Sequence, residues 1–258
     1  MDLQLKDRFF IVTGAGSGFG RAIAELLIAE GARVLAVART ESVLQSFQKQ
    51  AGQRLEIMAA DITLAASLDN LLLKIAGREV SGILVNAAGP PAMAFMETTL
   101  QDWDMAYSNI MRWKVDLTQK MLPIFQKQHY GRMVYIESVS VKQPVENLVL
   151  SNSLRAGVTG FVKTASQEVA SQGITMNILS PGYHDTAAMQ RLFAKKAAVE
   201  NISEAQAKAD FERSIPVKRM GKAEEMAVLA AWLLSPLSGF TTGQSFSHDG
   251  GLVKGLFG

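Results

Sequence analysis

The sequence of 258 residues contains no cysteine. That excludes a disulfide framework, a thiol nucleophile, Cys-ligated zinc and an iron–sulfur cluster, and it fits a reducing compartment. A dominant charge is missing too: 26 Lys and Arg stand against 24 Asp and Glu, a net charge of +2, scattered in sign with no basic block. A nucleic-acid or anionic-membrane partner would lack its electrostatic footprint, so neither is expected. No uninterrupted apolar run approaches the ~18 residues of a membrane-spanning helix, and Met1-Asp2-Leu3-Gln4-Leu5-Lys6 does not read as a secretory leader. The expected location is cytoplasmic. No fixed-period repeat, low-complexity tract or Pro/Gly/Ser linker divides the chain, so one domain spanning 1–258 is the economical reading.

What the sequence does contain is alternation. Apolar, β-branched runs at Phe9–Val12, Val34–Val37, Leu55–Ala59, Gly82–Asn86, Met133–Glu137 and Ile174–Leu179 are separated by segments of helical period. The helical segments lie at Arg21–Ala29, Glu41–Gln50, Thr63–Ala76, Leu100–Gln128 and Leu148–Gln172. Strands apolar along their whole length are buried on both faces, which implies a parallel sheet covered by helices. One stretch breaks the alternation. Asp185 to Arg213 is helical, with Met189, Leu192, Phe193 and Val199 spaced along one side and Ser203 with Gln206 capping a second helix. An insertion at the C-terminal end of a strand is where a substrate lid lies in an open sheet, so a lid is expected over 185–215.

Thr13-Gly14-Ala15-Gly16-Ser17-Gly18-Phe19-Gly20 follows the first strand and opens a helix, so its amides and the helix dipole can receive a pyrophosphate. A tight strand-to-helix turn is the alternative use of such a loop. At the end of the second strand an acidic residue would accept from a ribose 2′-hydroxyl and repel a 2′-phosphate. Here Ala38 is followed by Arg39, whose guanidinium suits phosphate oxygens. The expected cofactor is NADP(H) in preference to NAD(H).

These residues, with Ala60-Asp61-Ile62, Val85-Asn86-Ala87-Ala88-Gly89, Ser138, Pro181-Gly182 and Thr241-Thr242-Gly243-Gln244 before Asp249-Gly250-Gly251, follow one another in an order that resembles the short-chain dehydrogenase/reductase family over nearly the whole chain. The resemblance implies an α/β fold, a Rossmann-type doubly wound parallel sheet of about seven strands with helices on both faces. It also implies that Thr13, Gly14, Gly16, Ser17, Gly18, Phe19 and Gly20 cradle the phosphates. Asp61 and Ile62 would flank the adenine, Asn86, Ala87 and Gly89 would line the cofactor channel with Pro181 and Gly182, and Thr186 would meet the carboxamide.

Catalysis in the family uses Asn, Ser, Tyr and Lys, and only the serine, Ser138, is retained. Thirteen positions on, the tyrosine column holds Ser151, and four further the lysine column holds Arg155. The asparagine column falls on Ile110, with Asn109 one place off. An aliphatic hydroxyl is a far weaker acid than a phenol, and a guanidinium stays charged, so neither replacement supplies a proton near neutrality. Lys142, four residues past Ser138, is the first candidate donor because a partly desolvated lysine can titrate near neutrality. Tyr183 and His184, just past Pro181-Gly182, are the second; Tyr107, Tyr130 and Tyr135 read as helix or strand residues. The segment Pro144 to Gly157 resembles a divergent branch similar to β-ketoacyl-acyl carrier protein reductases in which the tyrosine is also replaced.

The expected activity is NADP(H)-dependent reduction of a carbonyl compound, a 3-oxoacyl thioester or another hydrophobic ketone, at an atypical site of Ser138, Ser151, Arg155 and Lys142. A non-catalytic NADP(H)-binding or sensor protein shares every cofactor motif and stays open beside it. The two long helices carry Ala156, Gly157, Gly160 and Ala165 alongside Val158, Phe161 and Val162, and the tail Gly251 to Gly258 is apolar. The family resemblance makes these subunit contacts, so a homotetramer is expected, with a dimer next.

Overall fold

β-Branched and aromatic side chains fill the first strand, Phe9–Thr13 (β1), and all five are buried. Successive residues point to opposite faces. Phe9 and Ile11 enter one apolar cluster, whereas Phe10 and Val12 enter another on the far side. This is why the strand reads as a continuous apolar run. The remaining strands are Arg33–Ala38 (β2), Leu55–Ala59 (β3), Gly82–Val85 (β4), Gly131–Ile136 (β5), Ile174–Pro181 (β6) and Ser245–His248 (β7). In this computed structural model, which describes residues 1–256, they form one parallel sheet in the order β3-β2-β1-β4-β5-β6-β7. The expected doubly wound α/β sheet is present, and its strand order reverses direction between β1 and β4.

Gly18–Ala29 (α1) covers one face together with Ala223–Leu234 (α9), an Ala- and Leu-rich helix absent from the sequence reading. Glu41–Ala51 (α2) completes that layer through Leu44 and Phe47. The other face carries Ala65–Ile75 (α3), Trp113–Gln128 (α5) and Val149–Val169 (α6). The strand β7 was also not read from the sequence; three of its residues, Ser245, Ser247 and His248, are polar, and all four are only half-buried at the sheet edge.

Two expectations need correction. The helix read as unbroken from Leu100 to Gln128 is Leu100–Tyr107 (α4) and α5, joined by a wide π turn over Ser108–Arg112. A π turn leaves a carbonyl without its usual partner, and the Trp113 indole donates to the freed Asn109 oxygen at 2.9 Å. Val199 does not share the buried side of its helix: it is 76% exposed, whereas Met189, Phe193 and Ala197 are buried. Ala197, one turn from Phe193, supplies the contact assigned to Val199 because a small residue lets the paired helix approach.

The inserted segment forms Ala187–Glu200 (α7) and Glu204–Ser214 (α8). The Ser203 hydroxyl accepts from the Gln206 amide, as its capping role requires. The pair has its own small core of Met189, Phe193, Ala197, Ala207, Ile215 and Met220.

Candidate active site

The ends of β1, β4, β5 and β6 lie side by side, so the loops that follow them share one edge of the sheet. Thr13 closes β1. It is fully buried, and its hydroxyl donates to the Asn86 carbonyl at 2.8 Å and accepts from the Asn86 amide at 2.8 Å. The hydroxyl expected at the cofactor thus ties the first loop to the end of β4. Gly14 then turns at φ +65°, where a Cβ would lie 2.7 Å from the Asn86 side chain. A Cβ on Gly20 would lie 2.3 Å from the Gly14 oxygen, so the loop and the first turn of α1 pack backbone to backbone.

Ser17 is the N-cap of α1 in extended conformation, and its side chain makes no capping bond. The Gly18 Cα faces Thr186, whose Cγ2 would be 3.9 Å from an added Cβ. Gly16 lies against Ala38 at the end of β2, and Arg39 beyond it is exposed. The loop thus presents backbone at the N-terminus of α1, with the exposed Arg39 guanidinium just past the end of β2. A diphosphate and a phosphorylated ribose fit such a surface: Gly14, Gly16, Gly18 and Gly20 bring backbone rather than side chain to it, and Ala38 and Arg39 place no carboxylate at the end of β2. Asp61 is turned inward to Thr63, accepting from its amide at 3.0 Å and its hydroxyl at 2.7 Å. Ile62 is buried in the core, while Ala87 packs against that core and Gly89 is exposed.

Beyond β5, Ser138 adopts an extended conformation at φ −167° and accepts from the Ser140 amide at 3.1 Å. That bond fixes the oxygen and leaves the hydroxyl hydrogen for another acceptor. Ser151 and Arg155 lie one turn apart on α6, and Arg155 Nε donates to Ser151 Oγ at 3.0 Å. Arg155 Nη2 reaches toward the β4 loop, 3.0 Å from where a Cβ on Gly89 would stand. Ile110, in the asparagine column, is buried in the core with no polar group to offer, and Asn109 is exposed.

Two further residues complete this cluster. Glu137, the last residue before Ser138, is completely buried and donates its backbone N–H to the Leu179 carbonyl at 2.9 Å. Its Oε2 accepts from Arg155 Nη1 at 3.0 Å, and its Oε1 accepts from Lys114 Nζ on α5. Burial pushes the Lys114 ammonium below the usual lysine range; Glu137 opposes that shift and Arg155 reinforces it. The signal for the pair was a carboxylate at the end of an otherwise apolar strand and a lysine beside the apolar stripe Trp113, Leu117, Met121.

Lys142 ends the short turn after Ser138 and is half-buried. Burial lowers its pKa from the ordinary lysine value, and the Asp249 carboxylate works against that. His184 is committed elsewhere. Its Nδ1 lies 3.1 Å from the Gly182 carbonyl and must carry the proton, so Nε2 accepts from His248 Nδ1 at 2.8 Å. Tyr183 turns into the α7–α8 core, edge to face with Phe211 at 4.9 Å between centroids. Gly182 lies tight against Asp249, 2.7 Å from its Cβ to an added one, so Pro181 and Gly182 fix the exit of β6. Tyr135 is buried and pairs with Thr118 at 2.7 Å, far from any duty as a donor.

Comparison with known proteins agrees with this fold. The family model described as enoyl-(acyl carrier protein) reductase matches residues 14–253. The 3-oxoacyl-(acyl-carrier-protein) reductase FabG of Escherichia coli (strain K12) is 30% identical over 253 residues, 97% of this chain and 99% of that protein. The acetoacetyl-CoA reductase of Cupriavidus necator is 29% identical over 259 residues, 97% of this chain and 100% of its own. Among solved structures, a variant of actinorhodin polyketide ketoreductase with NADPH superimposes with a TM-score of 0.91 at 26% identity, covering 96% of this chain and 98% of that one. With the seven-stranded order, the glycine loop and the serine after β5 in place, the chain belongs to the short-chain dehydrogenase/reductase family.

Proposed function

We propose that the protein is an NADP(H)-dependent oxidoreductase that reduces a carbonyl compound. The observation that carries this reading is the convergence, on one sheet edge, of the backbone-floored loop from Gly14 to Gly20, the Ala38–Arg39 strand end without a carboxylate, and Ser138 beside the Arg155 cluster. The curated relatives named above are a 3-oxoacyl thioester reductase and an acetoacetyl-CoA reductase, and the ketoreductase was solved with NADPH. They support a 3-oxoacyl thioester or a similar hydrophobic ketone as substrate.

The loop amides and the α1 N-terminus would hold the diphosphate, Arg39 would pair with the 2′-phosphate, and Arg155 would bind the nicotinamide ribose. NADPH, when bound, supplies the hydride. Ser138 donates its hydroxyl hydrogen bond to the substrate carbonyl oxygen and so fixes the carbon for attack. Lys142 Nζ gives a proton to that oxygen, and the resulting amine, half-buried at the mouth, regains its proton from solvent. Ser151 holds Arg155 in place. The α7–α8 pair forms a lid whose apolar core supports the Thr186 end of the site.

Ala156 and Gly160 are exposed on α6, with open space at Gly160, and we assign this face to a subunit contact in a homotetramer. Phe257 and Gly258, the end of the apolar tail, lie outside the described residues. Among the described residues no helix is long and apolar enough to cross a membrane.

The test is a panel of ketones, aldehydes and 3-oxoacyl thioesters with NADPH. Oxidation of the cofactor in step with alcohol formation supports the reading. Tight NADPH binding with no oxidation by any member favours the non-catalytic alternative.

A further inference from the structure

Arg155 carries five N–H donors, and the protein itself takes up those on two of its three nitrogens. Nε donates to Ser151 Oγ at 3.0 Å, and Nη1 donates to Glu137 Oε2 at 3.0 Å and to the Glu137 backbone carbonyl at 3.2 Å. Nη2 has no acceptor among the described residues. It stands beside the exposed Gly89, 3.0 Å from where a Cβ would lie, so the missing side chain leaves its hydrogens open toward the sheet edge on which the site residues converge.

An arginine and a carboxylate left to themselves favour a different arrangement, a bidentate fork with one carboxylate oxygen on each of two guanidinium nitrogens. Glu137 does not make it, because Lys114 Nζ donates to Oε1 and only Oε2 is left for Arg155. This hold does not depend on charge at Lys114, since an ammonium and a neutral amine both have an N–H to donate. The three side chains are also packed in place: that of Glu137 is inaccessible to solvent, that of Lys114 is 3% exposed and that of Arg155 11%. Stability gives no reason for the lysine. An apolar side chain of similar volume would leave the Glu137–Arg155 pair intact and avoid the desolvation of a buried amine.

We propose that Lys114 is a positioning residue for cofactor recognition: by occupying Glu137 Oε1 it limits Glu137 to one nitrogen of Arg155 and keeps Arg155 Nη2 unpaired for an acceptor oxygen of the ribose. Glu137, at the end of β5, carries this restraint from α5 to α6. Without Lys114, Oε1 turns to Nη2, completes the fork and takes up the donors that a ribose hydroxyl needs. The inference rests on the proposed reading of the site, with Arg155 beside the nicotinamide ribose.

The experiment compares the unaltered protein with Lys114→Met, which has no donor, and Lys114→Gln, which keeps an N–H for Glu137. The NADPH dissociation constant and the denaturant unfolding midpoint are measured for each. Lys114→Met is expected to bind NADPH about fivefold or more weakly while its midpoint holds or rises, and its crystal structure is expected to show both Glu137 oxygens on Arg155. Lys114→Gln is expected to stay within about twofold of the unaltered affinity. Unchanged NADPH affinity in Lys114→Met overturns the proposal, as does an equal loss in Lys114→Gln. A loss of affinity that comes with a lower midpoint marks Lys114 as structural support and overturns it as well. Arg155→Met, which leaves Glu137 paired with Lys114, tests the underlying reading separately: NADPH affinity equal to that of the unaltered protein removes Arg155 from the cofactor, and the proposal falls with it.

Discussion

Arg155 Nε donates to Ser151 Oγ at 3.0 Å, so the residues expected at the family's lysine and tyrosine positions form a direct hydrogen bond across one turn of α6. The same guanidinium donates to Glu137 at 3.0 Å from Nη1. Ser151 therefore accepts from a permanent cation rather than presenting a phenol to substrate, and its hydroxyl serves the arginine.

The charge arrangement has a stability consequence. Glu137→Gln leaves the buried Arg155 guanidinium without its counter-charge and is expected to lower the unfolding free energy by about 3–5 kcal/mol. Lys114→Met leaves the balanced Glu137–Arg155 pair and is expected to leave it unchanged or raise it. Denaturant unfolding of both variants checks this, and a larger loss in Lys114→Met than in Glu137→Gln contradicts the charge count.

The proposed chemistry divides between Ser138 and Lys142. Ser138→Ala is expected to lower kcat by about 10²–10³, and Lys142→Met by about 10²–10⁴, with NADPH affinity changed by less than about twofold. Because the protonated amine is the donor, reduction is expected to decline as pH rises through the depressed Lys142 pKa. Lys142→Met is expected to lose that alkaline decline along with the rate. Steady-state profiles of both variants provide the check, and full activity in Lys142→Met moves the proton to another donor.

Arg39 is exposed at the rim beside Ala38, where a 2′-phosphate is the natural partner. Arg39→Asp is expected to weaken NADPH binding about tenfold or more while improving NADH, a change consistent with losing one charge-assisted hydrogen bond. Fluorescence titrations with both nucleotides read it directly.

The His184–His248 bond gives an acid-side dependence of stability. Burial lowers the His184 pKa below its unfolded value of 6.5, so the unfolded chain takes up a proton that the folded one refuses. This contribution is complete above pH 6.5 and is lost as pH falls from there toward the depressed folded value. His184→Gln removes that slope. Gly221→Ala is expected to destabilise by about 1–3 kcal/mol, since the new methyl would lie 2.5 Å from the His184 ring. Thermal unfolding across pH tests both.

The sheet was legible because its strands are apolar on both faces, and the glycine loop because close backbone approach admits no other residue. The π turn at Ser108–Arg112 was not, since the contact that accompanies it, the Trp113 indole donating to the Asn109 carbonyl, is one that no periodicity reveals. α9 was missed because Ala- and Leu-rich surfaces on nearly all sides leave no amphipathic stripe to count. β7 was missed because a half-buried polar edge strand lacks the apolar run. At the site, Ser138, Ser151 and Arg155 were expected from the family resemblance, whereas Lys114 and Glu137 lie 23 residues apart and meet only when α5 packs against the end of β5. The sequence shows each charge, and only the fold shows that they share one carboxylate.

The most direct test of the account is an equilibrium titration of the unaltered protein with NADPH and, separately, NADH. The account predicts saturable binding of one NADPH per chain, tighter than NADH by about tenfold or more. No measurable affinity for either nucleotide, or a preference for NADH, would contradict it.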